Sequence, residues 1–184
     1  MSVTSLLMKV FAHDVAATEP RIVTLAQPIR IVGMGIDTTL RTVYRDVPRL
    51  GARFREYTRD HPIPGRKEPR AFAAVSKGYD REKGAFHYFM GDVVTGEMPA
   101  SNGLKGFEIP AITYAVFPVR PRNRFGWGMA IANVKRHAYD VWLPNSDFEP
   151  AGVIDDFELH DERSERMQDP EIDLYVAVRK KQKA

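Results

Sequence analysis

Apolar and polar positions change period along this chain in an order that occurs twice. PIRIVGMGI, residues 28–36, reads as a strand, and the segment after it places Leu50, Phe54 and Tyr57 at i, i+4 and i+7, one face of a helix over residues 47–59. The turn HPIPG ends that helix. Two strand-like runs follow, RAFAAVSKGY and GAFHYFMGDVV, divided by DREKG. After the loop TGEMPASNGLKG the order restarts with IPAITYAVFPV as strand, residues 129–143 as helix, VIDDFELHD as strand and EIDLYVAVRK as strand. In the second helix Ile131, Val134, Ala138 and either Val141 or Trp142 form the apolar stripe, and Pro144 stops it. The pattern predicts an α+β fold of two related halves, about 20–97 and 105–180. Residues 1–19 precede a single domain spanning 20–184.

The strand DFELH carries the main chemical question. Side chains alternate between the two faces of a strand, so Phe157 and Leu159 point one way while Asp156, Glu158 and His160 point the other. In the next strand Ile172, Leu174, Val176 and Val178 share a face, and Asp173 and Tyr175 take the opposite one. We expect Glu158, His160 and Tyr175 to lie together. Tyr88 shares a face with Phe86 and Met90, and Tyr114 with Ile112 and Val116, which makes both tyrosines candidate pocket walls. By residue type alone, Glu158 is either a solvated or arginine-paired carboxylate on a wet sheet face, or the charge in a lined pocket. Tyr139 and Trp142 are core residues first and pocket residues second.

Composition narrows the chemistry. With 184 residues, 43% of them hydrophobic and 28% charged, the chain can bury a single core. No apolar run approaches the ~20 residues of a membrane span, and SLLMKVFAHDVAA lacks the basic lead-in of a secretion signal, so a cytoplasmic protein is expected, without a membrane partner. The absence of cysteine excludes disulfides, thiolate nucleophiles and cysteine metal sites. Residues 41–70 hold nine basic and four acidic residues, whereas residues 155–173 hold nine acidic and two basic. The arginines of the first helix fall on its solvated face, with no recognition element beside them, so no direct nucleic-acid binding is expected. GMG at 33–35 lacks the third glycine of a dinucleotide loop and reads as a strand-end turn or bulge. The histidines at 13, 61, 87, 137 and 160 show no ligand spacing, and Ser76, Ser101 and Ser146 lack a nucleophile elbow. We expect no metal and no cofactor.

Five pieces in order, RIVTLAQPIRIVGMGI, FHYFMGDVV, FEIPAITYAVFPV, YDVWLPNSDFEP and DDFELHDE followed by EIDLYVAV, resemble the GyrI-like small-molecule-binding domain that also serves as effector-binding domain of AraC-type and multidrug-responsive regulators. The resemblance implies two strand-helix-strand-strand modules related by a pseudo-twofold, an antiparallel sheet with two main helices, and an aromatic pocket near their junction. It also implies that an acid in the last-but-one strand, here Glu158, meets cationic and often bulky aromatic ligands. Phe54, Tyr88, Tyr114, Tyr139, Trp142, His160 and Tyr175 would complete that pocket. Two positions depart from the family: His160 stands where many relatives have tyrosine, and Leu50 where many have tryptophan. No DNA-binding module accompanies the domain in this sequence. The expected role is therefore sensing or sequestering a hydrophobic, cationic small molecule, with Glu158 lacking a full protein partner. The alternatives are a hydrolase opening strained electrophilic rings with Glu158 as its acid or base, and a protein-interaction role, like that of gyrase inhibitors, for the acidic run.

Overall fold

The computed structural model describes residues 19–98, 103–121 and 126–182. The N-terminal extension up to residue 18, including His13, therefore lies outside the described residues, as do Ser101 and residues 122–125 of the arginine-containing stretch before Trp127. The strands are β1 (Arg21–Thr24), β2 (Ile29–Thr39), β3 (Phe72–Asp80), β4 (Ala85–Val93), β5 (Lys105–Ile109), β6 (Thr113–Val119), β7 (Phe148–Pro150), β8 (Asp156–His160) and β9 (Ile172–Lys180). Helix α1 spans Val43–Asp60. Helix α2 (Trp127–Arg136) runs on through a π-helical turn, His137–Trp142, into the short α3 (Leu143–Asn145).

The strand order is β1-β6-β9-β8-β3-β4-β2-β5, with β7 also paired to β9. All of these pairings are antiparallel. Reading outward from the central β8–β3 pair gives β9, β6, β1 on one side and β4, β2, β5 on the other. The unit β6-α2-β8-β9 thus repeats β2-α1-β3-β4, as the periodicities predict. The edge strands are exchanged between the units: β1 precedes the first yet pairs with β6, and β5 precedes the second yet pairs with β2.

Both helices lie on one face of the sheet because each presents one apolar stripe. Leu50 and Phe54 of α1 are buried against Val32, Ala74, Tyr88 and Met90. Val134 and Ala138, with Leu143 beyond the π turn, cover Ala115, Phe117, Leu174 and Val176. The π turn brings Trp142 rather than Val141 onto the sheet, and Val141 is left exposed. The opposite face carries its own apolar layer, built on Val75, Phe89, Tyr114, Val116 and Phe157.

Two expectations about strands change. The run IPAITYAVFPV is not one strand: it breaks at Pro110–Ile112 between β5 and β6, and Tyr114 donates a hydrogen bond from its hydroxyl to the Pro110 carbonyl across the break (2.7 Å). GMG is not a strand-end turn, because Gly33 sits inside β2 directly opposite Gly91 of β4. A Cβ on Gly33 would lie 1.8 Å from the Met90 carbonyl oxygen, and one on Gly91 2.4 Å from that of Val32. Close approach of two backbones requires these glycines.

Candidate functional site

The register of the central strands shows where the unusual polarity lies. One transverse row across the helix-covered face reads Phe117, Leu174, Glu158, Ala74, Met90, Met34. Glu158 is its single polar member. The adjacent row reads Ala115, Val176, Asp156, Ser76, Tyr88, Ile36, so the second carboxylate lies on the same face with a hydroxyl neighbour. Both acids are buried, on β8 at the line where the two units meet.

Lys135 of α2 reaches down between them. Its Nζ lies 2.9 Å from Asp156 Oδ1 and 3.1 Å from Glu158 Oε1, and it donates to Ser76 Oγ at 3.3 Å. One turn further on, the Tyr139 hydroxyl donates to Asp156 Oδ2 at 3.0 Å. The other Glu158 oxygen faces His160 Nε2 at 3.5 Å. Burial pushes the Glu158 carboxyl up, but the Lys135 ammonium and the His160 ring outweigh it and bring the pKa down to about 2. Burial likewise disfavours the charged form of Lys135, and the two carboxylates outweigh that too, raising its pKa. Glu158 and Lys135 are therefore ionised at neutral pH.

Beside the cluster, between α1 and the end of β8, is a cavity of about 240 Å³ with Gly51, Phe54, Phe72, Met90 and His160 among its walls and Arg55, Arg70 and Glu165 at its rim. The His160 ring is held edge-on to Phe72 at 5.7 Å and tilted against Trp127 at 5.9 Å. It stands between the cavity and the Glu158 carboxylate.

Residues 21–178 match the model of the Cass2 family, integron-associated effector binding protein. The chain belongs to that family. This Cass2-family chain is also 32% identical over 123 residues to the transcriptional regulator BrlR of Pseudomonas aeruginosa, a match covering 65% of the chain and 42% of the regulator. It therefore spans under half the length of that relative. Among solved structures, the fold is similar to the integron cassette protein VCH_CASS2 of Vibrio cholerae (TM-score 0.58, 12% identity, 88% of this chain and 97% of that one). It is also similar to SAV2435 bound to tetraphenylphosphonium (TM-score 0.63, 12% identity, 88% and 94%) and to the EcmrR C-terminal domain (TM-score 0.57, 14% identity, 89% and 98%).

In this Cass2 protein the sequence-predicted site residues divide between two faces. Glu158, His160, Tyr88, Tyr139 and Phe54 share the helix-covered face. Tyr114 and Tyr175 do not: Tyr175 is in register with Phe157 and stacks on it at 4.3 Å, and Tyr114 packs edge-on against both rings. Periodicity orders side chains within a strand, but the alignment of β8 with β9 sets which faces coincide, and Glu158 falls opposite Leu174. Trp142 lies apart, edge-on to Phe117 and stacked on Phe148, beside a separate cavity of about 480 Å³.

The expectation that Glu158 lacks a full partner is corrected by Lys135, a residue the sequence reading passed over. A usable signal exists: Lys135 and Tyr139 are four apart, so both project from one side of the helix, next to the Val134–Ala138 stripe. The acidic run is not an open acidic surface either. Asp156 and Glu158 are buried, and Arg163 gathers Asp161, Glu171 and Asp173. Among the described residues no cluster of three His, Asp or Glu side chains is arranged to hold a metal, and no helix is long and apolar enough to cross a membrane.

Proposed function

We propose that this effector-binding-family protein binds a hydrophobic aromatic cation on the helix-covered face, at the cavity between α1 and the end of β8, with the Glu158 carboxylate as counter-charge. The observation that carries the reading is the placement of an ionised carboxylate, backed by a second, in an otherwise apolar row beside a cavity walled by Phe54, Phe72 and His160. An aromatic wall attracts a cation through its ring faces, and a desolvated carboxylate adds a charge-assisted contact. The tetraphenylphosphonium bound by the similarly folded SAV2435 is a ligand of that class. A pKa near 2 makes Glu158 a steady charge partner but a poor proton donor and a weak base at neutral pH, which favours binding over ring-opening hydrolysis.

The test is isothermal titration of benzyltrimethylammonium and its neutral isostere neopentylbenzene into wild type and Glu158→Gln. The cation should lose about 1.5–3 kcal/mol of affinity in the variant, the lower part of the range for close charge pairs, because its quaternary nitrogen attracts the carboxylate by charge alone. The neutral isostere should change much less. Equal losses for both ligands, or none for either, would refute the role of Glu158.

A further inference from the structure

We propose that Lys135 is a tethered competitor for the cation site, and so the residue that sets how tightly this protein holds cationic ligands. The inference rests on the proposed cation-binding role of Glu158. Its ground is geometric. The Lys135 ammonium already occupies the position a ligand cation would take, within 3.1 Å of Glu158 Oε1 and 2.9 Å of Asp156 Oδ1, with Ser76 Oγ as a third contact.

An entering cation meets a Glu158 carboxylate that already holds an ammonium. With Lys135 in place, the two carboxylates face one ammonium, and His160 and the Tyr139 hydroxyl complete their surroundings. A ligand cation must therefore replace Lys135 at Glu158 rather than add to it. The lysine has somewhere to go: its side chain is 24% exposed, and a long flexible stem lets the ammonium turn out to solvent while its methylenes stay packed. The exchange trades one cation for another at Glu158, while Asp156 keeps the Tyr139 hydroxyl as its donor. Its cost is that the binding-competent arrangement, with Lys135 swung out, is a minor population, which weakens apparent affinity by that fraction. A neutral ligand does not contend with the ammonium for charge.

The experiment removes the competitor without leaving an unbalanced pair of buried acids. Affinities for benzyltrimethylammonium and neopentylbenzene are measured by titration calorimetry in wild type, Asp156→Asn, Lys135→Met and Lys135→Met/Asp156→Asn, each first checked for a cooperative thermal transition. Lys135→Met alone leaves two buried carboxylates without their ammonium, so the comparison is carried by the double variant. The double variant has one carboxylate and no lysine, and its reference is Asp156→Asn, which keeps the lysine. The expected result is at least tenfold tighter cation binding in the double variant than in Asp156→Asn, with the neutral isostere changed less than threefold. An equal cation affinity in those two proteins overturns the competitor role while leaving the binding reading intact. A tenfold gain for the neutral isostere as well overturns it too, because Lys135 would then act by filling space. No cation binding in any folded variant, wild type included, overturns the binding reading itself.

Discussion

The two halves of this protein share one architecture and supply opposite chemistry to the helix-covered face where β3 and β8 pair. The first half gives β3 with Phe72, Ala74 and Ser76 on the helix-covered face, and α1 with Leu50, Gly51 and Phe54. The second gives β8 with Asp156, Glu158 and His160 at the partner positions, and α2 with Lys135 and, beyond it, Tyr139. Ala74 and Glu158 stand directly opposite each other across the central strand pair. A duplicated frame therefore does not imply duplicated walls: one side is apolar and borders the cavity, the other is an ion cluster held by internal partners. Stability on the first side depends on volume and on the second side on charge balance, so the two should respond to substitution and to pH in different ways.

The largest effect should come from the charged wall. Lys135→Met removes the ammonium between two buried carboxylates and should cost about 3–5 kcal/mol in urea unfolding at pH 7, as expected when one partner of a buried ion pair is lost. A loss below 1 kcal/mol would mean that water already compensates the acids. On the apolar wall, Leu50→Ala empties a fully buried site packed with Ala74, Tyr88 and Met90 and should cost about 2–5 kcal/mol, with no dependence on pH between 4 and 8.

Glu158→Gln should be milder, about 1.5–3 kcal/mol, because Lys135 keeps Asp156 as a partner. This prediction also has a pH signature. Folding lowers the Glu158 pKa from its ordinary 4.5 to about 2, so its contribution is complete above about 4.5 and is lost as pH falls through about 2. The variant should therefore lose less stability than wild type across that acid range, measured by unfolding at matched ionic strength. Identical acid profiles would show that Glu158 is not held by Lys135 and His160 in solution. The smallest effect belongs to Arg55→Ala at the exposed rim of the apolar wall, which should change stability by no more than about 0.5 kcal/mol.

Much of the frame was legible along the chain because helices and strands each impose their own period on apolar residues. The stripe Leu50–Phe54 identified α1, although the helix begins at Val43, earlier than the apolar pattern. The alternation in DFELH placed Glu158 opposite Phe157 correctly, and the order of elements predicted the repeat. The exchange of β1 and β5 between units, the break before β6 and the π turn at His137 left no comparable mark, since each depends on contacts with distant strands.

By itself, then, the sequence determined which side chains share a face within each strand and which elements recur. Those are local properties, set by backbone geometry at intervals of two or about 3.6 residues. Only the tertiary structure decided which faces meet. The register of β8 against β9 sent Tyr175 to the Phe157 side and left Glu158 beside Leu174, and the packing of α2 across the sheet brought Lys135 to a carboxylate 23 positions away in the chain. The reason is physical: a one-residue shift in register would reverse every facing across a strand pair, and an ion pair between a helix and a strand forms only where packing places them.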